Sequence, residues 1–345
     1  MQGRDQAATD EGEPMKRSNP FQPIYALCNQ GEPREKIRSL PPFPRYIDVE
    51  LTNDCNLRCL MCAAGAGVMK RARASMNDET FALVLEQIAP HKTPLRFVRW
   101  GEPLLHPRAW DYIARAGAAG CLTHLNTNGR LLCDSAMDRL LSVGLDSLKF
   151  SFQGVDAKSY GEMRNAPPRF FEELFDTARR LWEKRGDSDA PFIHICTTIT
   201  YETPQQVREF RARAEECADL VTIGRTVLEH IDPGKTGLRP EERRTLVRLK
   251  EQESVVKKHP RCPEVFDKLS INWNGSVSAC CADYDDKMLV GHLAESPLEE
   301  IWRSDRMGRY RRLLADMRHG EIELCSTCYD YHGLQTPGLQ KTEAG

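Results

Sequence analysis

The chain has 345 residues, 13 cysteines, a formal net charge of −2 and an isoelectric point near 6.5. That balance gives no electrostatic basis for binding nucleic acid or an anionic membrane surface, and no apolar run approaches the roughly 20 residues of a membrane span. The first residues are polar rather than signal-like, so a cytoplasmic location is expected; cysteines there stay reduced and point to metal ligation rather than a disulfide framework.

Residues 1–44 form an N-terminal extension without periodicity. It is expected to be disordered at its start and to become a surface segment toward Pro41-Pro42-Phe43-Pro44. Cys28 stands alone there and reads as incidental. From residue 46 to about 226, six strand-like stretches (46–52, 95–100, 122–127, 147–152, 192–200, 220–226) alternate with helix-period stretches (77–89, 106–118, 134–143, a long region around 156–184, and 204–218). This alternation predicts an α/β fold with a parallel sheet, because right-handed crossovers need that much chain. Periodicity leaves open whether the sheet is flat or closed into a barrel. Either way, the chemistry belongs at the carboxyl ends of the strands.

The first strand runs directly into Asp54-Cys55-Asn56-Leu57-Arg58-Cys59-Leu60-Met61-Cys62. Three thiolates on one loop can converge on one metal centre, yet they fall one short of the four that a closed zinc or iron–sulfur site requires. A site with an open iron can bind a further ligand directly. After the second strand comes Trp100-Gly101-Glu102-Pro103, which taken alone reads as a helix start with Glu at the positive end of the dipole. The third strand ends in Leu125-Asn126-Thr127-Asn128-Gly129, a turn sequence. The fourth ends in Phe150-Ser151-Phe152-Gln153-Gly154, followed by Tyr160 and Arg164. Cys196 and Thr198 lie on the fifth strand, and Arg225 closes the sixth.

Residues 232–258 read as a linker with one helix, and residues 259–335 as a small second domain. This domain holds Cys262, a hairpin turning at Asn274-Gly275, the pair Cys280-Cys281, an amphipathic helix around 298–317, and Cys325-Ser326-Thr327-Cys328. Four convergent thiolates suit zinc or a cluster equally on ligand count. Residues 336–345 are a tail.

The cysteine loop after a strand, followed by the Gly-Glu-Pro segment, resembles the radical S-adenosylmethionine (SAM) superfamily. The C-terminal cysteine pattern resembles the Twitch form of its SPASM extension. The resemblance covers about residues 45–335. It implies a partial (β/α)6 TIM-like barrel over 45–231 and an auxiliary-cluster domain over 259–335. By the same resemblance, Cys55, Cys59 and Cys62 hold a [4Fe–4S] cluster whose fourth iron chelates the amino and carboxylate groups of SAM. Glu102, with the Trp100-Gly101 backbone, meets the methionyl amine, although Trp100 stands where the family has a glycine. Asn126 belongs to the family's Thr-Asn-Gly-like turn, and Ser151 and Gln153 face the ribose. Arg225 pairs with the SAM carboxylate or forms a rim salt bridge. Cys262, Cys280, Cys325 and Cys328 hold an auxiliary [4Fe–4S] cluster, and Cys281 is spare. The C-terminal spacing looks most like that of the family's aminocyclitol dehydrogenases of butirosin biosynthesis.

The implied activity is oxidation of a secondary alcohol on a sugar or aminocyclitol, with flavodoxin or ferredoxin as electron donor. Two rivals are a radical epimerase, with Cys281 or Cys196 returning a hydrogen atom, and a peptide- or protein-modifying SPASM enzyme. A zinc-knuckle binding protein is the non-enzymatic alternative, and it leaves the open three-cysteine loop unexplained.

Overall fold

The computed structural model describes residues 17–28, 30–228, 231–252, 262, 264–326 and 328. Six parallel strands lie side by side in chain order: β1 (Tyr46–Val49), β2 (Leu95–Phe97), β3 (Thr123–Thr127), β4 (Ser147–Ser151), β5 (Phe192–Ile199) and β6 (Leu220–Arg225). β6 forms one edge of the sheet and does not pair with β1, so the parallel strands make an open, partial barrel. Helices Asp78–Ile88, Ala109–Ala118, Asp134–Ser142, Arg169–Arg185 and Pro204–Glu215 supply the crossovers. Their starts are set locally: Asn77 accepts from the Thr80 amide at 2.9 Å, and Thr203 and Gln206 form a reciprocal capping box. The long region around 156–184 is two helices, because Asn165 turns left-handed and Pro167-Pro168 follow.

Alternation along the strands sorts them into two chemically different faces. Ile47, Val49, Leu95, Phe97, Leu125, Leu148, Phe150, Ile193 and Ile195 are fully buried in the main apolar core. Each contributes about 1.5–3 kcal/mol by leaving water. The opposite face carries Asp48, Arg96, Asn126, Lys149, Ser151, His194 and Cys196, and on β2 to β5 these are the half-exposed positions. This polar face is the lumen.

The sheet extends further than the sequence reading placed it. The C-terminal hairpin, β7 (Lys268–Ile271) and β8 (Ser276–Ser278), is not a detached unit: β7 pairs parallel with β1, placing Leu269 opposite Ile47 and Ser270 opposite Asp48. A further strand that periodicity missed, β9 (Leu289–His292), pairs antiparallel with β8 and completes a nine-stranded sheet. It is only four residues long, Leu-Val-Gly-His, so it carries little alternation. The expected helix over 298–317 is broken at Ser304, whose extended backbone ends Leu298–Arg303 and whose side chain caps Asp305–Ala315.

The N-terminal extension also departs from expectation. The part expected to be disordered falls largely in residues 1–16, outside the described residues, as does the 336–345 tail. The part expected to lie on the surface is built into the fold. Arg17 donates to the carbonyls of Gly186 and Ser188, Phe21 is 1% exposed against His124, and Tyr25 packs on Tyr46. Helix Gln22–Cys28 follows, and the Cys28 side chain is buried. Pattern methods miss such a segment because it is ordered by what it covers, not by its own periodicity. No helix among the described residues is long and apolar enough to cross a membrane.

Candidate active site

The loop after β1 is held by polar side chains rather than by regular structure. Asn53 donates to Ala72 O at 2.8 Å and accepts from Ala74 N at 2.9 Å, while Arg73 reaches the carbonyls of Asn53 and Ala64. Cys55, Cys59 and Cys62 line one cavity of about 250 Å³, together with Glu102, Asn126, Ser151, Gln153 and Arg164. The Arg164 guanidinium donates to the Cys59 sulfur at 3.3 Å and to the Ser151 carbonyl, and its Nε is buried without a partner among the described residues. Burial pushes the Cys55 thiol up to about 12 and raises Cys62 as well, so iron would displace protons from these thiols on binding.

Glu102 is 2% exposed and accepts from the Thr127 hydroxyl and the Asn128 amide, both at 2.8 Å, and from the Leu104 amide at 3.3 Å. Burial raises its pKa, and those three donors with Arg164 pull the other way. The carboxylate therefore fastens the turn after β3 while keeping lone-pair capacity toward the cavity. Asn128 carries the link onward, donating to Asn56 Oδ1 at 2.7 Å within the cysteine loop. Gly101 is required sterically: its φ is +91°, and a Cβ there would meet Thr52 O at 2.3 Å and Asp54 O at 2.6 Å.

A second cavity, of about 380 Å³, gathers Cys262, Cys280, Cys281, Cys325 and Cys328. The Cys280 sulfur accepts from the Ala282 amide at 3.4 Å, the kind of N–H···S contact that steadies a ligating thiolate. Cys281 sits differently. Its amide donates to Glu264 at 3.2 Å, and burial, with Glu264 next, pushes its thiol up to about 12. Glu264 in turn pairs with Lys268 at 2.8 Å, and Lys268 with Asp48 at 3.1 Å. No three His, Cys, Asp or Glu side chains among the described residues form a group that would hold a single metal ion. A four-iron cluster takes its thiolates on different irons, and the first cavity offers three cysteines and the second five.

Residues 49–214 match the Radical SAM superfamily, and residues 262–329 match the SPASM iron–sulfur cluster-binding domain. The chain belongs to the radical SAM superfamily and carries a SPASM domain. Its cofactors are accordingly a SAM-binding [4Fe–4S] cluster, an auxiliary cluster and SAM. Among curated relatives, the AdoMet-dependent heme synthase of Methanosarcina barkeri is 29% identical over 50% of this chain and 48% of its own length. The PqqA peptide cyclase of Granulibacter bethesdensis is 26% identical over 54% and 47%. The matching stretch thus spans about half the length of these relatives. Among solved structures, SuiB of Streptococcus suis superposes with a TM-score of 0.63 at 14% identity, covering 89% of this chain and 81% of that one. BtrN in complex with AdoMet and 2-DOIA superposes with a TM-score of 0.53 at 17% identity, covering 83% and 93%. At such identities these likenesses speak to fold.

Within this radical SAM fold the remaining expected residues are distributed as follows. The Trp100 indole lines the SPASM cavity rather than the cavity of the cysteine loop, donates to Asp283 O at 3.3 Å and meets Tyr284 edge-on. Arg225 ends β6 exposed and does not line the cavity of the cysteine loop. Gln153 lines that cavity, but its Nε2 is taken by Thr198 and Thr226. Asn126 lines it too, and its Oδ1 accepts from His124 at 2.7 Å. Cys196 is half-buried on the lumen face, opposite Ser151 in register.

Arg164, Asn128 and Arg99 are site residues whose roles the sequence reading missed. Arg99 lines both cavities and donates to Cys280 O at 3.1 Å and Asp283 O at 2.7 Å. No spacing rule marks them, because each acts across more than 70 residues of chain, 105 in the case of Arg164 to Cys59.

Proposed function

We propose that this enzyme oxidises an unactivated carbon, with a secondary alcohol of a sugar or aminocyclitol as the leading substrate class. Cys55, Cys59 and Cys62 hold the SAM-binding cluster, and Cys262, Cys280, Cys325 and Cys328 hold the auxiliary one. When bound, these groups supply a 5′-deoxyadenosyl radical at the first site and an electron acceptor at the second. Turning an alcohol into a ketone removes one hydrogen atom, one proton and one electron, so the two sites must serve one substrate. The observation that carries this reading is the wall the cavities share: Met61, Val98 and Arg99 line both.

The chain's own residues do the rest. Glu102 presents a buried acceptor suited to the methionyl amine, and Ser151 lines the same cavity at the end of β4. Arg164, rather than the exposed Arg225, is the cation placed to receive the SAM carboxylate while it steadies the Cys59 thiolate. Arg99 and Trp100 fix the Cys280–Asp283 loop against the strand end, keeping the second site at a set separation from the first.

Cys281 discriminates between this reading and an epimerase. Its place in the Glu264 and Lys268 network suits a buffer of charge beside the auxiliary site. Cys281→Ala should retain full iron content and most ketone formation, measured by anaerobic incubation with SAM, a reductant and a carbohydrate panel followed by mass spectrometry. A product two mass units lighter than its substrate supports oxidation. A product of unchanged mass in H2O and one mass unit heavier in D2O, lost in Cys281→Ala or Cys196→Ala, would sink it in favour of epimerisation. A second reading, peptide modification, has support from the PqqA peptide cyclases among the relatives. A reaction on peptides with none on carbohydrates would establish it.

A further inference from the structure

The lumen below the cavity of the cysteine loop has a charge pattern that the oxidation chemistry does not use. Lys149 on β4 is half-exposed there, opposite Asn126 on β3 and His194 on β5. It makes no hydrogen bond or ion pair among the described residues. The other lumen cations on β2 and β7 are neutralised. Arg96 is held by Asp48 at 2.6 and 3.1 Å, and Lys268 by Asp48 and Glu264. Both imidazoles beside Lys149 are neutral at ordinary pH. Burial and then Lys149 hold His194 down to about 3, and burial and then Arg96 hold His124 to about 3. His194 Nε2 is paired with Thr222 Oγ1 at 2.7 Å. His124 bonds Asn126 Oδ1 and Ser147 Oγ, so the amide hydrogens of Asn126 are what remains for the cavity.

The lumen is also closed from below. Phe21 lies edge-on to His124, Tyr25 bonds Arg96 at 3.2 Å, and Arg17 fastens the segment to Gly186 and Ser188. Lys149 lies two residues before Ser151 on the same face of β4, so the path to it from the cavity of the cysteine loop runs past Ser151 and Asn126, which line that cavity.

We infer that the substrate carries a carboxylate or phosphate that Lys149 receives, with Asn126 as a second donor, leaving the carbon to be oxidised toward Ser151. The inference rests on the proposed placing of SAM in the cavity of the cysteine loop, and it sharpens the substrate class. An acidic sugar is matched by an ammonium without a counter-ion, whereas a protonated amino sugar or aminocyclitol is repelled by it.

The test is anaerobic calorimetric binding to the full chain carrying both clusters and SAM, using D-glucuronate, glucose 6-phosphate, glucose and glucosamine. At least one of the two anions should bind about ten- to a hundredfold tighter than glucose, the range of a hydrogen bond to a charged group. Glucosamine should bind most weakly, and the preference should fall as salt is raised. Which anion wins separates the carboxylate source from the phosphate source. Lys149→Gln should erase the preference, and Lys149→Arg should restore part of it. Equal affinities, a preference that survives in Lys149→Gln, salt-independent binding, or no binding of any of the four would each overturn the inference. The proposed function fails separately, by an absence of SAM cleavage in the reduced enzyme without any sugar.

Discussion

The two cysteine cavities are assembled by opposite strategies. The first takes its three thiols from one loop of eight residues, Cys55 to Cys62, fixed where β1 ends. The second gathers Cys262, Cys280, Cys325 and Cys328 from segments spread over 67 residues, joined only because β7 adds to the core sheet beside β1. The first is local and one ligand short, which suits a centre that must bind a cofactor. On the proposed ligand set the second is non-local and complete, as the proposed electron acceptor would need. Local assembly keeps its spacing through sequence alone, whereas the non-local set depends on the contacts that fasten hairpin to barrel.

Removing each set of thiols is the hardest test of that contrast. Cys55→Ala/Cys59→Ala/Cys62→Ala should lose about half the iron and all SAM cleavage, on the expectation of two clusters of equal iron content. Cys325→Ala/Cys328→Ala should lose the other half, keep 5′-deoxyadenosine formation and lose the oxidised product. Iron analysis with chromatography of the nucleoside reads both. If the second variant also stopped cleaving SAM, the two centres would not be separable and the comparison would fail.

The ties between the regions come next. Glu50 and Arg71 form a bidentate pair at 2.6 and 2.8 Å, 0% and 8% exposed, and Arg71 reaches Tyr284 O in the C-terminal region at 2.8 Å. Arg71→Ala leaves the Glu50 carboxylate buried and uncompensated, at a cost of about 3–5 kcal/mol. Denaturant unfolding should show it, with the C-terminal region lost first. A cost below about 1 kcal/mol, the range of an exposed pair, would mean the tie is not buried in solution.

Glu102→Gln should assemble both clusters yet weaken SAM binding about tenfold or more, as expected for a hydrogen bond to a charged group worth about 1.5–3 kcal/mol. Unchanged SAM affinity would reduce the carboxylate to a clamp on Thr127 and Asn128.

Trp100→Phe is the mildest. It removes the bond to Asp283 O and should cost about 1 kcal/mol in thermal unfolding, leaving SAM affinity untouched. Weakened SAM binding instead would return Trp100 to the first cavity.

The sequence by itself determined the parallel α/β core and the two families of thiols. Strand and helix periods and an eight-residue cysteine loop are local, and local order is written in neighbouring residues. Gly101 was legible as part of a motif, although its physical reason, the close approach of Thr52 O and Asp54 O, was not. Only the tertiary structure decided which residues turn toward which cavity. Which way the Trp100 indole and the Arg225 side chain turn was not legible, because a strand-end side chain turns by what packs above it, and Arg164 was passed over as a ligand-facing cation for the same reason. Phe21 and Tyr25 gave no signal, since a non-periodic segment becomes ordered only by covering the lumen. That Lys149 has no counter-ion among the described residues while Arg96 has one follows from the carboxylate-bearing strand β1 lying beside β2 and not β4, and strand order is set by packing of the whole sheet.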